Sequence, residues 1–194
     1  MPRDPLEAGC APACHSLIDA PKGGILALDL ASVVGWCYGL AGTSIPRCGA
    51  WQLQKLGGEA ARYASFQKKL APVMERLRPS HLMLEAPLPL PAMNNWLAAC
   101  QAFGLRAVAL AEAWYASCPH SEVDAQTVRA EVMGSRPPRE EAKQQVVAWC
   151  VRQGWAVAAC GDHAHHAADA CLLWRWFSDR VSPRRQHATS EWWG

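Results

Sequence analysis

The sequence predicts an α/β fold: a mixed sheet of three antiparallel strands followed by βαβ units, flanked by helices. Three observations predict it. GILALDLA, VVGWCYGL and RCGAWQLQ are short apolar runs joined by short connections, as in an antiparallel meander. Over residues 59–78 the period then switches to steps of three and four, the mark of an amphipathic helix. Beyond that, short apolar runs alternate with helical segments, giving the order β-β-β-α-β-α-β-α-α-α.

GILALDLA follows the Lys22-Gly23-Gly24 break and reads as a buried strand ending near Asp29. The turn-like Gly42-Thr43-Ser44-Ile45-Pro46 separates the second and third strands. In the first helix Tyr63, Phe66, Leu70, Val73, Met74 and Leu77 form the inward stripe, and Pro79 ends it. His81 to Ala86 reads as a fourth strand ending at Glu85, before a stiff loop with Pro87, Pro89 and Pro91. Residues 92–116, rich in Ala and Leu, predict a long helix with a bend near Gly104. Residues 117–123 read as a short fifth strand, and Asp124 as the N-cap of a helix over 125–133. After the loop 134–138, residues 140–153 read as an amphipathic helix stopped by Gly154, with Ala142, Val146, Val147, Cys150 and Val151 inward. After the polar stretch Gly161-Asp162-His163, a last helix is expected over about 165–177. Residues 1–22, with four Pro, read as a flexible N-terminal extension, 23–180 as one domain, and 181–194 as a C-terminal tail.

Size and composition agree with this division. The 194 residues suit one domain, and 51% apolar residues suffice for a core. The net charge of +2 neither demands nor excludes nucleic acid. Lys and Arg gather locally, in Arg62, Lys68, Lys69, Arg76 and Arg78, in Arg136, Arg139 and Lys143, and in Arg180, Arg184 and Arg185. The nine Cys contain no CxxC pair, and several lie in apolar runs where Cys acts as a small hydrophobe. A reducing, cytoplasmic compartment is expected. No stretch has the character of a signal peptide or of a membrane span. Of the ten Trp, Trp36, Trp51, Trp96, Trp149, Trp155 and Trp174 are expected in the core, and Trp192 and Trp193 fall in the tail.

The chemistry-bearing pattern is acidic. Asp29 and Glu85 each end an apolar strand, and Asp169 sits on the first turns of the last helix, with His166 three residues before it on the same face. A lone buried carboxylate is expensive, so each should be paired, protonated or metal-bound. If strands one and four are neighbours, Asp29 and Glu85 share one end of the sheet, and the last helix laid across that end brings His166 and Asp169 to them. Three carboxylates in one place repel unless cations hold them. Oxygen-rich ligands suit Mg²⁺ or Mn²⁺, and two such ions can support phosphodiester hydrolysis.

Three stretches carry a resemblance. ALDLASVVGWCYG (27–39), LMLEAP (82–87) and HHAADACLLW (165–174) resemble the motifs of phage-type RuvC Holliday-junction resolvases, of the RNase H-like superfamily. The resemblance spans roughly residues 24–178. It implies an RNase H-like fold, a homodimer, and cleavage of branched DNA such as a four-way junction by paired nicks. It implies two divalent ions held by Asp29, Glu85, His166 and Asp169, with a Lys before the penultimate helix on phosphate; Lys143 matches best, with Arg136 and Arg139 as neighbours. Ala31 stands where many members have Gly, and Val33-Val34 where hydroxyl residues are frequent. The segment after Glu85 is Pro-rich, and its first aromatic is Trp96, where bacterial members place an aromatic wedge soon after the Glu. Among His163, His165 and His166, spacing favours His166.

Three other functions are compatible with parts of this pattern. One is an RNase H-like nuclease acting on flaps or RNA–DNA hybrids, which needs no dimer. Another is a non-catalytic DNA-structure-binding protein, against which the three acids argue. The last is a zinc protein using Cys160, His163, His165 and His166, with Cys10, Cys14 or His15, but these spacings match no zinc-binding pattern.

Overall fold

The structure, a computed structural model, describes residues 17, 19–87 and 96–182. Five strands are present: β1 (Ile25–Asp29), β2 (Val33–Gly39), β3 (Arg47–Gln52), β4 (His81–Glu85) and β5 (His120–Val123). The helices are α1 (Gly58–Leu77), α2 (Trp96–Tyr115), α3 (Ala125–Met133), α4 (Arg139–Arg152) and α5 (Ala164–Val181), with a 3₁₀ segment (Ala156–His163) before α5. The strands form one sheet in the order β3-β2-β1-β4-β5. β1, β2 and β3 pair antiparallel, while β4 runs parallel to β1 and β5 parallel to β4. This is the mixed sheet expected from the order of elements.

Alternation along β1 separates the two halves of the core. Leu26 and Leu28 face one way, into a cluster with Phe66, Leu70 and Val73 of α1 and Leu105 and Ala109 of α2. Ile25 and Ala27 face the other way, into a cluster with Val128 of α3, Val146 and Cys150 of α4, and Ala167, Cys171 and Trp174 of α5. A strand buried on both faces reads as an unbroken apolar run, which is why ILALD shows no polar alternation until it reaches Asp29. Leu17, within the segment read as an extension, is buried in the first cluster. Nearby, the Tyr38 hydroxyl donates to the Pro21 carbonyl at 2.6 Å and accepts from the Gly24 N–H at 2.9 Å.

Several expectations are corrected. α2 runs unbroken past Gly104, whose bare Cα instead admits the Tyr63 ring of α1; a Cβ there would lie 2.2 Å from Tyr63 Cζ. Residues 156–163, given no element by the sequence pattern, are ordered. Buried Val157 and Cys160 anchor them as a 3₁₀ segment, broken at Gly161, whose φ of 56° and ψ of −129° only glycine adopts readily. α5 extends to Val181, beyond the expected end at residue 177. Trp96 is exposed rather than in the core, while Trp36, Trp51, Trp155 and Trp174 are buried and Trp149 packs partly buried against Trp155. The described cysteines are free thiols, and Cys37, Cys48, Cys150 and Cys171 pack together inside as small hydrophobes. Burial pushes the Cys37 thiol up to about 11. Among the described residues no helix is long and apolar enough to cross a membrane.

Candidate active site

Register places the two strand-end acids together. β1 and β4 run parallel with Leu28 opposite Leu84, so the next residues, Asp29 and Glu85, emerge at the same end of the sheet. Both lie on central strands, with apolar packing on either face of the sheet behind them.

α5 reaches this end because of one glycine. Gly35 of β2 is the cross-strand partner of Asp29. A Cβ at Gly35 would sit 1.9 Å from the His166 carbonyl oxygen, so the first turns of α5 rest directly on bare backbone. That approach delivers His166 Nδ1 to 2.8 Å from Asp29 Oδ2. Asp169, one turn later, faces the same cluster, while Ala167, Ala170, Cys171 and Trp174 hold the helix to the sheet by burial.

Burial and mutual repulsion dominate the electrostatics. The Asp29 carboxyl is pushed from 3.8 up to about 8, first by burial, then by Asp169. Arg129, Lys143 and a hydrogen bond with Glu85 oppose this rise. Glu85 is likewise pushed to about 8 by burial, then by Asp29 and Asp169. His166 is held below its usual range by burial and by the Lys143 charge, so its imidazole is neutral at neutral pH. Carboxyls raised this far by burial and by one another, beside an imidazole, are the kind of perturbed group that clusters at functional sites.

The four expected ligands, Asp29, Glu85, His166 and Asp169, are therefore neighbours. Of the other two histidines, His163 has its Nε2 2.8 Å from Gln52 Nε2, while His165 stays beside the cluster, its ring against that of His166 with centroids 4.1 Å apart. Cys160 is buried in the second core cluster and among the described residues forms no zinc-type group with these histidines, while Cys10, Cys14 and His15 lie outside the described residues. Of the expected basic residues, Lys143 projects from α4 close enough for its charge to act on Asp29, His165 and His166. Arg136 is exposed and its charge acts on Asp124, the N-cap of α3, rather than on the acids. The Arg139 side chain lies outside the described residues.

The sequence reading missed Arg129. From α3 it donates Nη2–H to Asp169 Oδ1 at 2.9 Å and lines a small cavity with Glu85 and Asp169. The acids are thus turned onto one another and onto Arg129, and among the described residues no three Asp, Glu, His or Cys side chains are disposed as they stand to hold a metal ion. The donor set still suits a hard divalent cation: three carboxylates with one imidazole, two of the carboxyls kept from ionising by burial and by their mutual repulsion, which Arg129 only partly offsets.

No family model and no curated protein matches the chain. Solved structures do. Thermus thermophilus RuvC superposes with a TM-score of 0.60 at 15% identity, over 81% of this chain and 96% of that one. The T. thermophilus RuvC in complex with Holliday junction substrate gives 0.59 at 16% identity, over 79% and 92%. The yeast mitochondrial Holliday junction resolvase Ydc2 gives 0.57 at 14% identity, over 90% and 88%. The chain thus has the mixed-sheet, RNase H-like fold shared by the RuvC-type resolvases.

Proposed function

We propose that this protein is a metal-dependent endonuclease that cleaves branched DNA, acting on four-way junctions as a homodimer. The observation that carries the reading is the meeting of Asp29, Glu85, His166 and Asp169 at one end of the sheet, from three distant segments of the chain. The neighbours that share the fold include a RuvC seen with a Holliday junction.

Asp29, Glu85, His166 and Asp169 would hold Mg²⁺ or Mn²⁺. Two such ions, when bound, activate a water and stabilise the leaving oxygen of a phosphodiester. The chain's own residues do the rest. His166 Nδ1 is engaged by Asp29, which leaves Nε2 as the ring nitrogen on its other side. The apolar rows behind Asp29 and Glu85 keep bulk water from the back of the cluster and hold both carboxyls in register. Lys143 offers positive charge to the DNA backbone beside the acids, the exposed Arg136 adds charge near Asp124, and Arg139 is the third basic residue of this stretch. We expect Lys143→Ala to weaken binding to all DNA sequences alike and to make the slope of log affinity against log salt shallower by about 1. Binding isotherms across a salt series measure this, and an unchanged affinity and slope would remove Lys143 from the interface.

Paired nicks need two active sites on one substrate. The outward face of α2 offers a surface for a second copy: Trp96 (76% exposed), Phe103 (39%) and Trp114 (82%) share one helix face, opposite the buried Leu105, Ala109 and Ala113. Soluble monomers seldom expose such an aromatic stripe. Phe103→Glu should shift the protein to a monomer without unfolding it, as read by sedimentation equilibrium. A wild-type chain that is itself monomeric would favour a flap or hybrid nuclease.

The deciding test is incubation of the protein with a labelled four-way junction, a duplex and an RNA–DNA hybrid, each with Mg²⁺, Mn²⁺ or EDTA. Junction cleavage that requires the divalent ion is expected. Preferential cleavage of the hybrid would transfer the protein to the other nuclease class, and binding without cleavage would make it a DNA-structure-binding protein.

A further inference from the structure

Arg129 is an unusual residue to find beside a cluster of cation ligands. It stands on α3, whose first turn is fixed by Asp124: one carboxylate oxygen accepts from the N–H groups of Gln126 and Thr127, each at 3.0 Å. Val128 beside it is buried in the core and sets the rotation of the helix. The guanidinium is therefore delivered inward, to 2.9 Å from Asp169, with only 14% and 15% of the two side chains exposed. Its charge also acts on Asp29 and Glu85. Its Nε is buried with no hydrogen-bond partner, so the guanidinium is not fully satisfied in this position.

We propose that Arg129 is a built-in counter-cation: it holds the acid cluster together in the absence of metal and competes with the divalent ion for Asp169. The inference rests on the metal-dependent reading above. Asp169 spends one oxygen on Arg129, and Asp29 and Glu85 share a hydrogen bond, so the ligands are gathered but closed. For Asp169 to serve a divalent ion, its bond to Arg129 must break or be shared. Removal of one neighbouring positive charge then raises cation affinity. The released guanidinium, with Nε already unpartnered, gains donors for a phosphate oxygen. Arg129 is thus a positioning residue for Asp169, whose ion pair is exchanged when the ion arrives.

The test reads metal binding and stability rather than cleavage. Mn²⁺ binding is measured by calorimetry, and melting temperature in EDTA and in Mn²⁺, for the wild type, Arg129→Gln, Arg129→Lys, Asp29→Asn and the double variant Asp29→Asn/Arg129→Gln. Arg129→Gln should bind Mn²⁺ roughly 5- to 100-fold more tightly. It should also melt lower than wild type in EDTA and gain more from Mn²⁺. Arg129→Lys, which keeps the charge, should stay near the wild type. Compared with Asp29→Asn alone, which sets the baseline for that carboxylate, the loss caused by Arg129→Gln in EDTA should be clearly smaller than the loss it causes in the wild type; a purely structural role for Arg129 would give the same loss in both backgrounds. Equal or weaker Mn²⁺ binding by a folded Arg129→Gln, with the wild type binding normally, overturns the counter-cation role and leaves the nuclease reading standing. No Mn²⁺ binding by any of the chains overturns both.

Discussion

Asp29→Asn should abolish junction cleavage, by at least about a thousandfold, while leaving DNA binding intact and making the metal-free protein more stable. The change is close to isosteric, so the hydrogen bond to His166 and the packing at the end of β1 survive. What it removes is a charge that the fold disfavours. Asp29 has its folded pKa raised from 3.8 to about 8, so the native state holds its proton more tightly than the unfolded chain does. The corresponding stability is fully present below pH 4 and is lost as pH rises towards 8. Measured in EDTA, wild type and variant should therefore melt together only below about pH 4 and separate progressively up to about pH 8, the variant higher by several degrees. With Asp29 sharing its environment with Glu85, the difference corresponds to on the order of 1–3 kcal/mol. Activity and stability moving in opposite directions is the signature of a site that stores repulsion for use on a cation. A variant less stable than wild type at pH 8 in EDTA would show that Asp29 is a structural ion-pair member instead.

How much of this could be read from the sequence depended on whether the cause was local. Asp29 and Glu85 were legible because an acid that terminates an apolar run is conspicuous, and because parallel neighbours put two such ends side by side. The pairing of His166 with Asp169 was legible from helical spacing alone. Arg129 was not. The basic residues drew notice where they clustered, and Arg129 stands alone on a short helix whose only buried residue is Val128. Its one local signal is that adjacency: a long cation placed next to the position that must face the core. Trp96 failed for a different reason. Apolar residues on α2 occur on both faces, and hydropathy cannot distinguish a stripe that packs on the sheet from one that faces outward. Residues 156–163 received no element because the polar Gly161-Asp162-His163 follows directly on the buried Val157 and Cys160.

Gly35 shows the same limit most sharply, and carries the largest structural prediction. In sequence it is one small residue in VVGWCYG; in the structure it is the seat of α5. A methyl group there would meet the His166 carbonyl oxygen at 1.9 Å and carbon at 2.3 Å, and the Ala167 nitrogen at 3.0 Å. These are helix backbone atoms, which cannot rotate aside as a side chain could, so the helix itself must shift by an ångström or more. The shift would pull Ala167, Ala170, Cys171 and Trp174 out of register with the sheet and carry His166 off Asp29. Gly35→Ala should therefore destabilise by about 2–4 kcal/mol. It should also lose cleavage at temperatures where circular dichroism still shows a folded chain, because displacement of about 1 Å suffices to disable a catalytic constellation. Gly154→Ala provides the control. That glycine has a φ of +79° with nothing within 4 Å of its added methyl, so only backbone strain of about 1 kcal/mol is expected, with cleavage retained. Were Gly35→Ala to melt no lower than Gly154→Ala and to cut junctions at the wild-type rate, α5 would not be seated on β2 as described, and the meeting of His166 and Asp169 with the strand-end acids would need another cause.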